Sequence, residues 1–104
     1  MTAITTVNTG NAKGFKFLNI AGAATTVVKA APGYLHKIVV NKKIANGVIT
    51  IYDNASAASG TKLCTVTNPA TLLDNETTLP YECNMTNGIV VVTSAADDIT
   101  VVYE

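Results

Sequence analysis

Arginine is absent from this sequence, and all seven of its cationic side chains are lysines. Arginine is the usual tool for bidentate contacts to phosphates and base edges. With no basic cluster beyond Lys42-Lys43 and a formal net charge of zero, nucleic acid is not an expected partner. Tryptophan is absent too, so any carbohydrate-stacking platform would fall on Tyr34, Tyr52, Tyr81 or Tyr103. Two cysteines, Cys64 and Cys83, are too few for a disulfide scaffold. They read as two buried thiols, with a disulfide between them as the alternative. Long apolar runs are missing: the longest are of four residues, as in "IVVV" at 89–92, so no membrane-spanning helix is expected. The opening "MTAITTVNTGNAKGFKF" has no basic start followed by an apolar stretch, so no signal peptide is expected. Charge of either sign is scarce, at 13% against a usual value of about 25%. Neutral Thr, Asn, Ser and Ala must then cover much of the outside, as they do both at protein–protein contacts and on plain stable domains.

What the sequence does contain is β-branched residues punctuated by turns. At 104 residues it is one domain at most. Folding at this length buries roughly two-thirds of the unfolded surface, enough for one core without staples. The pattern predicts strands near 15–20, 25–29, 34–41, 47–53, 61–67, 77–84, 88–93 and 98–103. They are separated by "PG" at 32–33, "ANG" at 45–47, "NASAASG" at 54–60, "TNPA" at 67–70, "TNG" at 86–88 and "SAADD" at 94–98. The segment at 21–31 is alanine-rich, but its β-branched quartet and the following Pro32-Gly33 favour strand over helix. Alternation sets Ile49 and Ile51 on one face against Val48, Thr50 and Tyr52. It sets Leu79, Tyr81, Cys83 and Met85 against Thr78, Pro80, Glu82 and Asn84, and Ile99, Val101 and Tyr103 against their neighbours. Pro80 lacks a donor and marks an edge strand or a bulge. The expected fold is all-β: a single-domain, jelly-roll-like β-sandwich of about eight strands over 15–104.

Residues 1–14 are mostly Thr, Asn, Gly and Ala, with Ile4 and Val7 as the large apolar groups. They bury little alone, and read as a frayed terminus or as an arm that orders on a neighbour. In "FKFLNI", Phe15 and Phe17 alternate with Leu18 and Ile20, which suits a strand covered on both faces by its own sheet or by another subunit.

Catalytic and metal signatures are hard to find. His36 is the lone histidine, no serine sits in G-x-S-x-G, and neither cysteine has a recognisable histidine setting. Two Cys and one His give no zinc spacing. Asp53, Asp74, Glu76, Asp97 and Asp98 lie in turns without the spacing of a calcium loop, and read as acceptors for local backbone bonds. No enzyme activity, metal or other cofactor is expected. Triplets N-x-S/T at Asn54, Asn75 and Asn84 follow from an Asn- and Thr-rich composition.

From "APGYLHKIVVN" through "GVITIYDNASAASGTKLCTV" to "LPYECNMTNGIVVVTSAADDITVVYE", the chain resembles small β-sandwich structural proteins of tailed bacteriophages. The resemblance covers about residues 32–104. It rests on Gly33, Leu35 and Ile38; on Ile49, Ile51, Tyr52, Asp53 and Gly60; on Leu79, Pro80 and Tyr81; on Gly88, Val90 and Val91; and on Thr100, Val101 and Tyr103. It implies a capsid decoration or cement protein: a virion structural component made in the host cytoplasm, forming a homotrimer on the major capsid protein lattice and stabilising the head. On that reading Ile4, Val7, Phe15 and Phe17 bind the capsid. The tip holding Asn54, Ser56 and Ser59 is an exposed loop, with no membrane or nucleic acid involved. The competing reading is a receptor- or carbohydrate-binding module of a phage tail or head fibre.

Overall fold

The computed structural model describes residues 14–73 and 77–104. Among them run β1 (Lys16–Ala21), β2 (Ala24–Lys29), β3 (Gly33–Lys42), β4 (Val48–Asp53), β5 (Thr61–Thr67), β6 (Thr77–Met85), β7 (Ile89–Thr93) and β8 (Asp98–Tyr103), with no helix. Every boundary falls within one residue of the position read from the sequence. Two four-stranded antiparallel sheets result, in the orders β1-β8-β3-β6 and β2-β7-β4-β5.

The pairing has a simple rule. β1 joins β8, β2 joins β7, β3 joins β6 and β4 joins β5. This is one long two-stranded ribbon, folded at residues 54–60 and wrapped so that β3 also meets β8 and β4 meets β7. Such wrapping is the jelly roll, with its two Greek keys.

Alternation decides the core. Ile20, Leu35, Ile38, Val40, Ile49, Ile51, Met85, Ile89, Val91, Ile99 and Val101 face inward and are buried together. Full burial stabilises each large aliphatic side chain by about 1.5–3 kcal/mol. Val90 points outward but is also buried, flanked in register by Val27 and Tyr52. Cys64 on β5 and Cys83 on β6 are free thiols packed half-buried against the core, and Cys64 Sγ donates to the Tyr81 hydroxyl at 3.0 Å. Burial pushes the Cys83 thiol up from its ordinary value, and burial with the Cys64 contact pushes the Tyr81 phenol up strongly.

Buried or turn-bound carboxylates tie the two ends of the sandwich. At one end Asp97 is buried, and its Oδ2 accepts from Asn68 Nδ2 at 2.7 Å and its Oδ1 from the Ile44 amide at 3.2 Å. The Asp97 carbonyl accepts from the Gly22 amide at 3.4 Å. This one residue thereby touches the β1–β2, β3–β4, β5–β6 and β7–β8 connections. At the other end Asp53 accepts from the amides of Thr86, Asn87 and Gly88 at 3.2, 2.7 and 3.3 Å. Those amides, Asn87 foremost, hold the Asp53 carboxyl below its ordinary value. Asp74 and Glu76 lie outside the described residues.

Four strands form sheet edges, and they differ. β2 is bulged between Val27 and Lys29, and β5 is bulged opposite Ile51 and Tyr52. β6 carries Pro80 and a bulge opposite β3, as its proline predicts. β1 pairs with β8 through six consecutive residues without a break.

Candidate functional site

The outer face of the β1-β8-β3-β6 sheet gathers the most chemistry. Register places Phe17, Val102, Lys37 and Pro80 in one row across all four strands, and Asn19, Thr100, Val39 and Thr78 in the next. Above the first row lies a cluster drawn from β3, β6 and the residue just before β1. Phe15 stacks on the His36 ring with centroids 4.2 Å apart and planes 4° from parallel, and lies 6.4 Å from the Tyr34 ring. His36 Nδ1 meets Glu82 Oε1 at 2.5 Å, and the Tyr34 hydroxyl donates to the same oxygen at 2.9 Å.

Two irregularities build this cluster. Between Pro80 and Cys83, β6 spends one more residue than β3 does between Lys37 and Leu35. Relative to β8, β3 itself carries His36 as the extra residue. Bulges re-aim side chains. Here they turn Glu82 towards β3, at the cost of a left-handed backbone with φ of 50°. A non-glycine residue in that region stores about 1–3 kcal/mol of strain. The His36 bond, then the Tyr34 bond and the Lys37 charge, hold the Glu82 carboxyl below its ordinary value, while the Glu82 bond raises the Tyr34 phenol.

Glu82 is bonded as a carboxylate, so its contribution is complete above its unfolded value near 4.5 and fades as pH falls through the lowered folded value. Acid unfolding of Glu82→Gln should therefore show a shallower pH dependence below about pH 4.5 than the parent protein. An unchanged profile would remove Glu82 from the ion-pair role.

One row further on, Asn19 Nδ2 donates to Asp98 Oδ1 at 2.7 Å and Asn41 Nδ2 to the same oxygen at 3.2 Å. These amides lower the Asp98 carboxyl. Near the chain end an open depression of about 610 Å³ lies between Lys29, Pro32, Tyr34, Asn84, Thr86 and Glu104.

The structure brings Phe15 and Phe17 to one face and leaves them 48% and 73% exposed. Ile4 and Val7 lie outside the described residues. Ser56 and Ser59 are exposed on the β4–β5 tip, whereas Asn54 is half-buried and organises it. Its Oδ1 accepts from the amides of Ser56 and Ala57 at 2.8 and 2.9 Å, and its Nδ2 donates to the Ser59 carbonyl at 3.0 Å. The Phe15–His36–Glu82 cluster escaped sequence reasoning because its members come from three separate segments: Phe15 just before β1, His36 on β3 and Glu82 on β6. Pro80 alone signalled the irregularity beside it.

No nucleophile bonds to His36 among the described residues, and no group of three or more His, Cys, Asp or Glu is placed to hold a metal. The face offers aromatic surface, a paired carboxylate and amide–carboxylate ladders, which suit binding.

No known protein family matches the chain, and no solved structure does. A segment of 43 residues, 41% of the chain, is 37% identical to part of the purine-uracil permease NCS1 of Arabidopsis thaliana. The match spans 7% of that protein's length.

Proposed function

We propose that the protein is a non-enzymatic structural component of a virion, a decoration protein that attaches to a lattice of major capsid protein. The observation that carries this reading is the pair Phe15 and Phe17, solvent-facing on the outer sheet face directly after residues 1–14. Aromatic side chains on a rigid sheet suit docking against another protein. The phage resemblance over residues 32–104 and the jelly-roll order support it, since jelly rolls recur in viral shells. With so little charge, attachment rests on apolar and neutral polar contacts, repeated over many copies so that weak contacts add.

A second reading has its own support. The Phe15, Tyr34 and Glu82 cluster sets aromatic faces beside a carboxylate, as a carbohydrate site would. Co-sedimentation with empty capsid shells decides between the two. Saturable binding is expected, changing less than about twofold between low and moderate salt. Removing residues 2–14 should weaken it about tenfold or more. Absence of shell binding together with a positive glycan screen would replace the capsid reading by the carbohydrate one.

A further inference from the structure

The bulges beside Pro80 leave one carboxylate bonded to two rings. Glu82 Oε1 accepts from the Tyr34 hydroxyl at 2.9 Å and meets His36 Nδ1 at 2.5 Å. The Glu82 backbone is left-handed, and backbone strain of this kind collects at functional sites. The His36 and Glu82 side chains are 23% and 48% exposed, so protons reach the pair from solvent. One face of the imidazole carries Phe15, its ring 4° from parallel with centroids 4.2 Å apart. The residue before it, Gly14, has a φ of 58°, a region that glycine enters freely. Phe15 is thus held by a ring whose charge changes between about pH 5 and 8, next to a backbone joint that turns easily.

We infer that His36 is a pH-sensitive latch for Phe15: the imidazolium holds the phenyl ring against the sheet, and the neutral imidazole lets it leave. Two contacts strengthen together on protonation. Against the Glu82 carboxylate, a hydrogen bond from a neutral donor becomes an ion pair. Against the Phe15 face, a stack of two neutral rings becomes a cation–π contact, which favours the docked ring by about two- to fivefold in an exposed setting. The other groups on this sheet face are few. From β3, Lys37 opposes protonation of its neighbour, and Tyr34 stays neutral because the Glu82 bond raises its phenol. From β6, Glu82 favours protonation and stays ionised throughout the histidine range. From β8, Glu104 pairs with Tyr34 and adds a second acidic group. Lys16 and Tyr103 share a row of the opposite face. Linkage fixes the sign. If protonation favours the docked ring, the docked ring favours protonation, so the latch closes as pH falls through the histidine range and loosens as pH rises. The inference does not rest on the capsid reading, although Phe15 belongs to both, and its test uses no shells.

The chain has one histidine and two phenylalanines, so magnetic resonance of the full chain reads each group singly. With fluorine-labelled phenylalanine, the Phe15 signal should move between about pH 5 and 8 with the same midpoint as the imidazole signal. The Phe17 signal should stay in place. Backbone nitrogen relaxation at Phe15 should show more picosecond-to-nanosecond motion at the upper end of that range than at the lower, with Phe17 unchanged. Phe15→Leu should lower the proton affinity of the imidazole by the same factor of about two to five, and Glu82→Gln by at least about threefold. Phe17→Leu is the control on the same face and should leave the midpoint where it is. Circular dichroism checks each variant. Phe15 and Phe17 lie outside the core, so their comparison stands even where Glu82→Gln unfolds the sheet. A Phe15 signal that ignores the His36 titration overturns the inference. So does a midpoint indifferent to Phe15→Leu, or greater motion of Phe15 at the acidic end.

Discussion

Gly88→Ala should lower the unfolding midpoint by about 10–20 °C, corresponding to about 2–3 kcal/mol in a domain of this size. Gly88 sits where the β6–β7 turn passes under two other connections. A methyl group there would lie 2.6 Å from the carbonyl oxygens of both Asn54 and Lys29, and 2.8 Å from Ala55 Cα. All three are backbone atoms, so no side chain can swing aside. The turn is also fastened from the opposite direction by the Asp53 carboxylate on the amides of 86–88, which removes the easy route of relaxation. Gly60→Ala is the informative control. Its site has room, the nearest atom being 3.6 Å away, but a φ of +81°. It should lose only about 1 kcal/mol through backbone strain. Thermal unfolding of both variants measures the difference, and a Gly88→Ala midpoint at or above that of Gly60→Ala would show that the turn yields.

Asp97→Ala should be at least as damaging, with about 3 kcal/mol lost in chemical unfolding. The carboxylate is 1% exposed and accepts from Asn68 and from the Ile44 amide. Removing it leaves the buried Asn68 amide without that acceptor and the Ile44 N–H facing a small cavity. Gly47 shows how tightly the site is built, since a Cβ at that residue would lie 2.7 Å from Asp97 Oδ1. Asp97→Asn keeps the shape and one acceptor oxygen, so it should fall between the parent and the alanine variant. Equal stability of parent and Asp97→Ala would mean that the four connections hold together without their shared acceptor.

The strands were legible because each reports its own two faces locally. Ile49 with Ile51, and Ile99 with Val101, alternate cleanly, and Pro80 marks β6 as an edge strand or a bulged one, of which it is both. The partnering of strands was not legible. A period of two says which side chains are buried, but not which strand lies alongside. Nothing local couples Asn19 to Asp98, 79 residues away, or His36 to Glu82, 46 residues away. Glutamate has no preference for left-handed backbone, so the turn of Glu82 towards β3 had no signature of its own. The sequence marks Asp97 as an acceptor for local backbone bonds, but its carboxylate partners are distant, the Asn68 side chain 29 residues away and the Ile44 amide 53 residues away. Its burial came from four connections converging, which only the tertiary structure brings about.

The ribbon has a kinetic corollary. β4 and β5 meet across the short tip at 54–60, β3 and β6 across a longer span, and β1 and β8 across nearly the whole chain. Closing a loop costs about 0.6 kcal/mol more for each doubling of its length, so the outermost pair, formed alone, is about 2 kcal/mol dearer in chain entropy than the apex. Zipping outward from the Asn54-organised tip replaces each long closure by a short one, because every pair formed shortens the loop the next must close. A chain wound this way belongs with the slow, high-contact-order β proteins that fold in milliseconds to seconds. The strand that joins at the far end of that zipper is β1, the same strand whose outer edge is left regular.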